Sequence, residues 1–382
     1  MASPYPFRSW VEVSRAQIAA NYRAVRAVVG ERVEVMPVVK ADAYRHGANE
    51  VSRVLVNEGA RWLAVSNAEE GVLLRQYGVT ARILVMADFL PAARPALLEY
   101  DLTPVIHSLR DLRELNRLGT MLRRTLPFHL KLDTGMGRLG TRAPAPEIAK
   151  AITEAKRLEF EGLMTHFASS ADYSNPQTDE QIRCFEAALS SLRKAGLNPR
   201  YVHLSSTNPV AYNRAQCWAD GVSTCMVRPG HAIYGYVSPA RGGAPKQALV
   251  VKPALAWRAA VVAIKTLPSG SRVGYGGIYV TEKPTRVAVI AAGYADGIPH
   301  RLSNKGRVIV CGQFAPILGA VSMDLTTIDV SEMAELRVGD SITIIGEEGE
   351  ASQDAQQLAR AAGTISYSVL CGISARVKRV YV

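Results

Sequence analysis

Val38-Val39-Lys40-Ala41-Asp42-Ala43-Tyr44-Arg45-His46-Gly47 closes a run, Val33 to Val39, that is rich in β-branched residues. Such a run reads as a buried strand rather than a helix. The strand ends in Lys40, and a charge at the mouth of a buried strand is costly. A partly desolvated amine has a lowered pKa and can form a Schiff base with an aldehyde, so chemistry is one reason to place a lysine there. A strand-end lysine that snorkels to water is the alternative for Lys40 taken alone. Its company decides between them.

Outward from this stretch, apolar runs alternate with helical patterns. Further strands are predicted near Trp62–Val65, Ile83–Met86, Leu102–Ile106, Phe128–Leu132, Gly162–Thr165, Tyr201–Leu204 and Met226–Arg228. Helical stretches fall at Glu50–Glu58, Ala68–Tyr77, Ser108–Leu118, Ala145–Ala155 and Asp179–Ala195. Eight strands with helices between them predict an α/β fold, an N-terminal (β/α)8 TIM-type barrel over residues 14–240. Pro239-Ala240-Arg241-Gly242-Gly243-Ala244-Pro245 reads as a linker. Beyond it, Ala256–Ile264, Thr285–Ile290, Arg307–Val310, Leu325–Val330 and Ser341–Ile345 read as short strands, with one helical stretch at Ala355–Ala362. This is a C-terminal mostly-β domain over residues 246–382, which the early strand Ser9–Val13 is expected to join.

Composition narrows the function classes. Of 382 residues, 48% are hydrophobic and 21% charged, which is ordinary for a globular protein. No apolar run is long enough to span a bilayer. Met1-Ala2-Ser3-Pro4-Tyr5-Pro6-Phe7 lacks the pattern of a signal peptide. The cysteines, Cys184, Cys217, Cys225, Cys311 and Cys371, are dispersed and odd in number, which argues against a disulfide framework or a zinc site and fits the cytoplasm. Net charge is +11, but the basic residues are spread along the chain without interleaved aromatics. A nucleic-acid groove needs a clustered basic face, so a solvated surface is the better reading, and a small anionic ligand would explain part of the excess equally well; no nucleic-acid or membrane partner and no metal is expected.

Barrel enzymes keep their active sites at the C-terminal ends of the strands. Polar residues of this chain collect there: Lys40 after the first strand, Lys131 and Asp133 at the fifth, His166 at the sixth, Ser205-Ser206-Thr207 after the seventh, and Arg228-Pro229-Gly230-His231 at the eighth. Hydroxyls at Tyr44, Ser206 and Thr207 suit a phosphate, as does Gly230 before a helix start at His231. A lysine for an imine, hydroxyls and a Gly turn for a phosphate, and Arg and His at the rim together imply pyridoxal 5'-phosphate.

With these residues in hand, the chain resembles the alanine racemase family of fold-type III pyridoxal-phosphate enzymes. The resemblance rests on Val38–Gly47; on Lys131-Leu132-Asp133-Thr134-Gly135-Met136-Gly137-Arg138-Leu139-Gly140; on Val227-Arg228-Pro229-Gly230; on Val273-Gly274-Tyr275-Gly276; and on Val321-Ser322-Met323-Asp324. Ile365-Ser366-Tyr367 matches more weakly. The resemblance implies that Lys40 carries the cofactor as a Schiff base and is the base for D-alanine. It implies that Tyr275, supplied by the second subunit of a head-to-tail homodimer, is the base for L-alanine. Arg228 would face the pyridine nitrogen, with His166 supporting it. Tyr44, Gly230, His231, Tyr367 and either Ser206 or Thr207 would hold the phosphate. Arg138, the Met323 backbone N–H and Asp324 would serve the substrate carboxylate, Tyr294 would line the entrance, and Lys131 matches a lysine often carbamylated. In a bacterium, D-alanine for peptidoglycan would follow.

Physical chemistry supports that division of labour. Inverting one carbon needs a proton removed on one face and delivered on the other, and a lysine opposite a tyrosine supplies one base per face. An arginine stays protonated and leaves the ring nitrogen bare, which weakens the electron sink and disfavours side reactions. Arg228 and Tyr275 argue against a decarboxylase of the same fold, and the β domain argues against a non-catalytic cofactor carrier. A racemase of serine or of a broader amino-acid set stays open, since one hydroxyl is worth only about 1–3 kcal/mol in a pocket. Three positions depart from the family pattern: Ser206-Thr207-Asn208 stands where the family more often shows an Asn-Ser-Ala run, His231 stands where an aliphatic residue is common, and Arg45 replaces a common glycine. The expectation is that position 45 does not need a positive φ.

Overall fold

The computed structural model describes residues 5–214 and 224–382. Cys217 and the first four residues of the N-terminal stretch lie outside the described residues. The chain divides into two compact units. One holds Ile18–Ala43 and Ala48–Lys252; the other holds the residues through Gln17, then Tyr44–Gly47 and Pro253–Val382.

Strand β1 (Ser9–Val13) belongs to the second unit. The first unit carries β2 (Glu34–Val35), β3 (Trp62–Val65), β4 (Arg82–Val85), β5 (Thr103–Ile106), β6 (Leu126–Lys131), β7 (Leu158–Met164), β8 (Tyr201–His203) and β9 (Thr224–Val227). These eight form one parallel sheet in the order β2-β9-β8-β7-β6-β5-β4-β3. A parallel bridge between Val38 and Ala64 joins the two ends, so the sheet closes into a barrel. β3 and β5 are buried at every residue, as strands covered on both faces must be.

The first predicted strand, Val33–Val39, pairs regularly only over Glu34–Val35. Pro37 is the reason, because it has no N–H to give to a ladder. The chain stays extended past it: Met36 N–H donates to the Val227 carbonyl and Val38 N–H to that of Pro229, both at 2.9 Å. Lys40 therefore still emerges at the C-terminal rim. The stretch read as a linker is bonded back onto the first unit. Arg241 N–H donates to the Ala171 carbonyl at 2.9 Å, and its guanidinium pairs with Asp172 at 2.8 Å.

In the second unit β10 (Leu255–Leu267) is the spine. The remaining strands are β11 (Arg272–Val273), β12 (Tyr279–Val280), β13 (Thr285–Ile290), β14 (Arg307–Val310), β15 (Gln313–Pro316), β16 (Thr326–Asp329), β17 (Ser341–Glu348), β18 (Ala351–Gln353) and β19 (Lys378–Tyr381). The main sheet runs β15-β14-β17-β10-β1-β19, and β1 pairs antiparallel with β10 and parallel with β19. Trp10 and Trp257 are fully buried there, and Trp257 Nε1 donates to Ser9 Oγ at 2.9 Å. Such large apolar rings dominate a core's stability, and the indole N–H needs the partner it has. The helix Ala355–Ala362 starts at Asp354, whose carboxylate and Gln357 form a reciprocal capping box.

Ala41, Asp42, Ala43, Tyr44 and Arg45 all have positive φ, from 52° to 66°. This is a left-handed helical turn directly after Lys40. Each such residue costs about 1–2 kcal/mol, so the turn costs on the order of 5–10 kcal/mol. Side chains hold it. Glu70 accepts from Ala41 N–H at 2.6 Å and from Ser66 N–H at 2.7 Å, and Asp42 accepts from Ala48 N–H at 2.8 Å. Each charge-assisted bond offsets about 1.5–3 kcal/mol. The expectation for Arg45 is therefore corrected: its φ is +66°, because it continues the left-handed turn. Its carbonyl accepts from Arg379 Nε at 3.0 Å, while its own Nε makes only a long 3.4 Å contact with the Cys371 carbonyl. Arg45→Gly should remove about 1 kcal/mol of strain net of glycine's greater unfolded freedom. Calorimetry should show the unfolding midpoint rising by about 1–3 °C. A lower midpoint would mean that the guanidinium contact outweighs the strain.

Candidate active site

In the barrel unit the predicted residues converge at the C-terminal rim. Arg228 follows β9 and is buried. Its guanidinium donates to the carbonyls of His203 and Thr165, each at 2.6 Å, and to that of Leu204 at 3.3 Å. These carbonyls lie at the ends of β7 and β8, so backbone acceptors hold the Arg228 guanidinium.

Around it the charge is one-sided. Burial lowers the Lys131 amine to about 8, with the Arg228 and Arg138 charges adding to the shift, Asp133 opposing it and Lys40 contributing last. His166 is lowered to about 3, again by burial first and then by Arg228, Lys131, Arg138 and Lys40. These five groups feel one another, and four of them are cations by nature. Asp133 is committed elsewhere. Its Oδ1 accepts from the N–H groups of Gly135, Met136 and Gly137 at 2.9–3.1 Å, and its Oδ2 meets Arg142 Nε at 2.8 Å. Those bonds hold its carboxyl down at about 2 and shape the loop that carries Arg138. Gly140 returns this loop against β6, where a Cβ would stand 2.6 Å from Asp133 N. A rim with this balance attracts an anion.

Thr207 is buried at the start of the short helix Thr207–Ala211. Its Oγ1 accepts from Gly230 N–H at 3.2 Å and from Ala232 N–H at 3.1 Å, capping the turn His231–Tyr234. The Gly230 N–H is bonded inside the chain, because Thr207 has taken the cap. The His231 ring is 1% exposed and stacks on Tyr236 with centroids 5.0 Å apart, so packing fixes it. Thr207, with its oxygen accepting twice, has its own proton left to donate. Ser206 is half-buried beside it and makes no capping bond to the helix.

The second unit brings together another set. The rings of Tyr44 and Tyr367 lie 6.0 Å apart. The loop of Tyr294 is stitched to that of Met323: Tyr294 N–H donates to the Ser322 carbonyl and Ala295 N–H to the Met323 carbonyl, both at 3.0 Å. Gly293 makes this possible, since a Cβ there would meet the Ser322 and Met323 carbonyl oxygens at 2.3 and 2.4 Å. Asp324 pairs with Arg376 at 2.6 Å, and Arg376 also grips Asp296 at 2.7 Å. Tyr275 opens a tight turn after Gly274, whose φ is +72°. Its side chain is 76% exposed.

The whole chain, rim and C-terminal loops included, matches known proteins. Residues 13–239 match the family model "Alanine racemase, N-terminal domain" and residues 254–381 match "Alanine racemase, C-terminal domain". This chain belongs to the alanine racemase family. The alanine racemase of Halothermothrix orenii is 38% identical over 374 residues, covering 98% of this chain and 96% of the relative. Alanine racemase from D-cycloserine-producing Streptomyces lavendulae superposes with a TM-score of 0.90 at 32% identity, over 99% of this chain and 98% of that one. The Bartonella henselae enzyme, solved with covalently bound pyridoxal phosphate, gives a TM-score of 0.86 at 26% identity, over 99% and 100%.

For this alanine racemase family chain, sequence reasoning left several contributors to the site unread. Glu70 braces the turn after Lys40 from 29 residues away. His107 follows β5 near Lys131; burial and that charge lower it to about 4. His129, Glu161 and His203 lie wholly inside the barrel. One signal was available: His129 and Lys131 are two residues apart on β6, so both face the same side of the sheet. Among the described residues no helix is long and apolar enough to cross a membrane, and no group of three His, Cys, Asp or Glu could hold a metal.

Proposed function

We infer that the chain is an alanine racemase that interconverts L- and D-alanine with pyridoxal 5'-phosphate. The observation that carries this is Arg228, a guanidinium fixed by carbonyls at 2.6 Å on the same rim as Lys131, with the Asp133 carboxylate bonded into its own loop. That donor set fits a phosphorylated aldehyde: Lys40 for the aldehyde, Arg228 for the pyridine nitrogen, Thr207 or Ser206 with Tyr44 and Tyr367 for the phosphate. The bound cofactor supplies the electron sink that makes the α-proton of an amino acid acidic.

The chain's own residues do the rest. Lys40 takes the α-proton of D-alanine and returns it on that face; Tyr275 does the same for L-alanine on the other. Arg138 and the Met323 N–H would orient the substrate at its carboxylate, with Asp324 beside them, and Tyr294 would line its entrance. The amine of Lys131, lowered to about 8, is neutral often enough at mild pH to add carbon dioxide, releasing a proton and leaving a carbamate beside Arg138.

A head-to-tail homodimer follows from the same reading. Tyr275 is 76% exposed, and Ile278, Val280 and Met323, near it in sequence or role, are about half exposed too. A second subunit would cover them. The cytoplasm suits an enzyme whose described cysteines, Cys184, Cys225, Cys311 and Cys371, are free thiols. Peptidoglycan supply is the role a bacterial D-alanine source would play.

The test is α-proton exchange in D₂O by the yellow holoenzyme, offered L-alanine and L-serine separately. Deuterated D-alanine formed at least about tenfold faster than deuterated D-serine, a discrimination one hydroxyl can supply, supports the reading. Faster serine turnover favours the broader racemase, and no exchange despite bound cofactor would revive the carrier.

A further inference from the structure

A polar chain runs from Arg228 into the barrel. Arg228 Nη1 lies 3.0 Å from His203 Nδ1. A guanidinium only donates, so His203 Nδ1 carries no proton. The proton of a neutral His203 must then sit on Nε2, which lies 2.8 Å from His129 Nδ1. His129 Nδ1 therefore accepts, and its own proton sits on Nε2. That atom has one carboxylate near it, Glu161, with Oε2 at 3.5 Å. The gap is longer than an ordinary hydrogen bond and short enough for a strong charge–dipole attraction. Glu161 is held in turn by the fork of Arg82, through Nη1 to Oε1 and through Nη2 to Oε2 at 2.9 Å. The Arg82 guanidinium lies 4.0 Å above the Trp62 ring.

Only one direction of donation satisfies this chain. Reversing it would set a proton on His203 Nδ1 against the protons of Arg228. Protonating either ring would do the same. Both imidazoles are completely buried, and burial with the nearby Arg228 charge keeps both neutral. For His129 the Glu161 carboxylate pulls the other way and Arg82 opposes it. Space is reserved for the arrangement too. Gly162 faces His129 across β6 and β7, and a Cβ on it would stand 2.4 Å from His129 Nδ1.

We propose that His129 and Glu161 are positioning residues of the active site: they fix the tautomer of His203, and through it the orientation of Arg228. The carboxylate at the far end polarises both imidazoles toward Arg228 and sharpens the acceptor that holds it. This rests on the reading of Arg228 as the partner of the pyridine nitrogen. It assigns a role in catalysis to residues that touch neither substrate nor cofactor.

The test combines ring nitrogen-15 NMR with kinetics. In protein labelled at histidine, with and without pyridoxal phosphate, His129 and His203 should both report a proton on Nε2 and no titration from pH 8 to 5.5. Glu161→Gln keeps the shape but lets an amide proton face His129, which permits the reversed chain. It should lower kcat for alanine about tenfold with KM changed less than twofold, and shift the His203 resonances. His129→Gln offers an acceptor to His203 and a donor to Glu161, and should stay within about threefold of wild type, whereas His129→Leu should not. A proton on Nδ1 of either ring would overturn the proposal. So would a Glu161→Gln enzyme of normal kcat and lowered thermal stability, which would mark the chain as scaffolding alone. If wild type fails to exchange the α-proton at all, the racemase reading falls, and the ring tautomers still decide the polarity of the chain.

Discussion

Lys40→Ala and Tyr275→Phe each abolish net racemisation, by about 10²–10⁴-fold or more, and leave opposite residual activities. Enantiomers are equal in free energy, so kcat/KM in the two directions must stay equal in every variant. Asymmetry can show only in exchange without inversion. Tyr275→Phe keeps the lysine face and should still wash the α-proton of D-alanine into D₂O while forming no L-alanine. Lys40→Ala, loaded with excess cofactor, should retain exchange on L-alanine alone. The two residues belong to different compact units of the chain, so each can be altered without disturbing the local fold of the other. Chiral chromatography with mass detection reads both label and configuration. Racemisation surviving in Tyr275→Phe would remove the tyrosine from the mechanism. Identical residual exchange in the two variants would remove the division of faces.

Acidification from pH 7 to 5 should weaken the fold by several kcal/mol, well before the carboxylates titrate. Four histidines are held neutral inside the barrel unit. His107 and His166 are lowered to about 4 and about 3, His203 lies well below its ordinary value and His129 is lowered too, all chiefly by burial. Unfolded, each takes up a proton below its ordinary value near 6.5; folded, it does not. The unfolded state therefore binds more protons as the pH falls. The stability these groups contribute is present above pH 6.5 and is lost progressively down to their folded values. Between pH 7 and 5 His107 and His166 each remove about 2 kcal/mol, and His129 and His203 act in the same direction, a large part of the stability of an ordinary protein. Glu161 and Asp133, lowered to about 2, act later. Their contribution is lost only as the pH drops from the ordinary carboxylate range toward 2. Lys131 at about 8 adds nothing to this limb, since it is protonated in both states by then. Urea unfolding at pH 7.5, 6 and 5 measures the slope. A flat profile would mean that the buried rings take up protons in the fold.

Local chemistry alone settled much of the architecture. The runs at Trp62–Val65, Thr285–Ile290 and Arg307–Val310 and the helix Ala355–Ala362 have the bounds that side-chain periodicity predicts, because each is a single apolar pattern closed by turn residues. The reactive rim was legible for a similar reason. Lys131 and Arg228 sit directly at the ends of strands and Lys40 follows the extended stretch beyond β2, and a parallel barrel has one catalytic face. The helix Arg15–Val29 went unread, and so did Ser366–Gly372, whose seven residues are too few to establish a period.

Sequence by itself determined the barrel and the β domain, because residue type and short-range spacing encode them, and it placed Lys131 and Arg228 at the ends of strands. Tertiary structure alone decided the rest. It forced the left-handed turn onto Arg45, since the φ of a residue after a strand end depends on what braces it, here Glu70 and Asp42. It gave the Gly230 N–H to Thr207 across 23 residues. It joined His129 to His203 across 74 residues, a pairing that exists only once β6, β7 and β8 lie in register. Hydrogen bonds are short-ranged and directional, so partners remote in sequence are fixed only when the barrel closes.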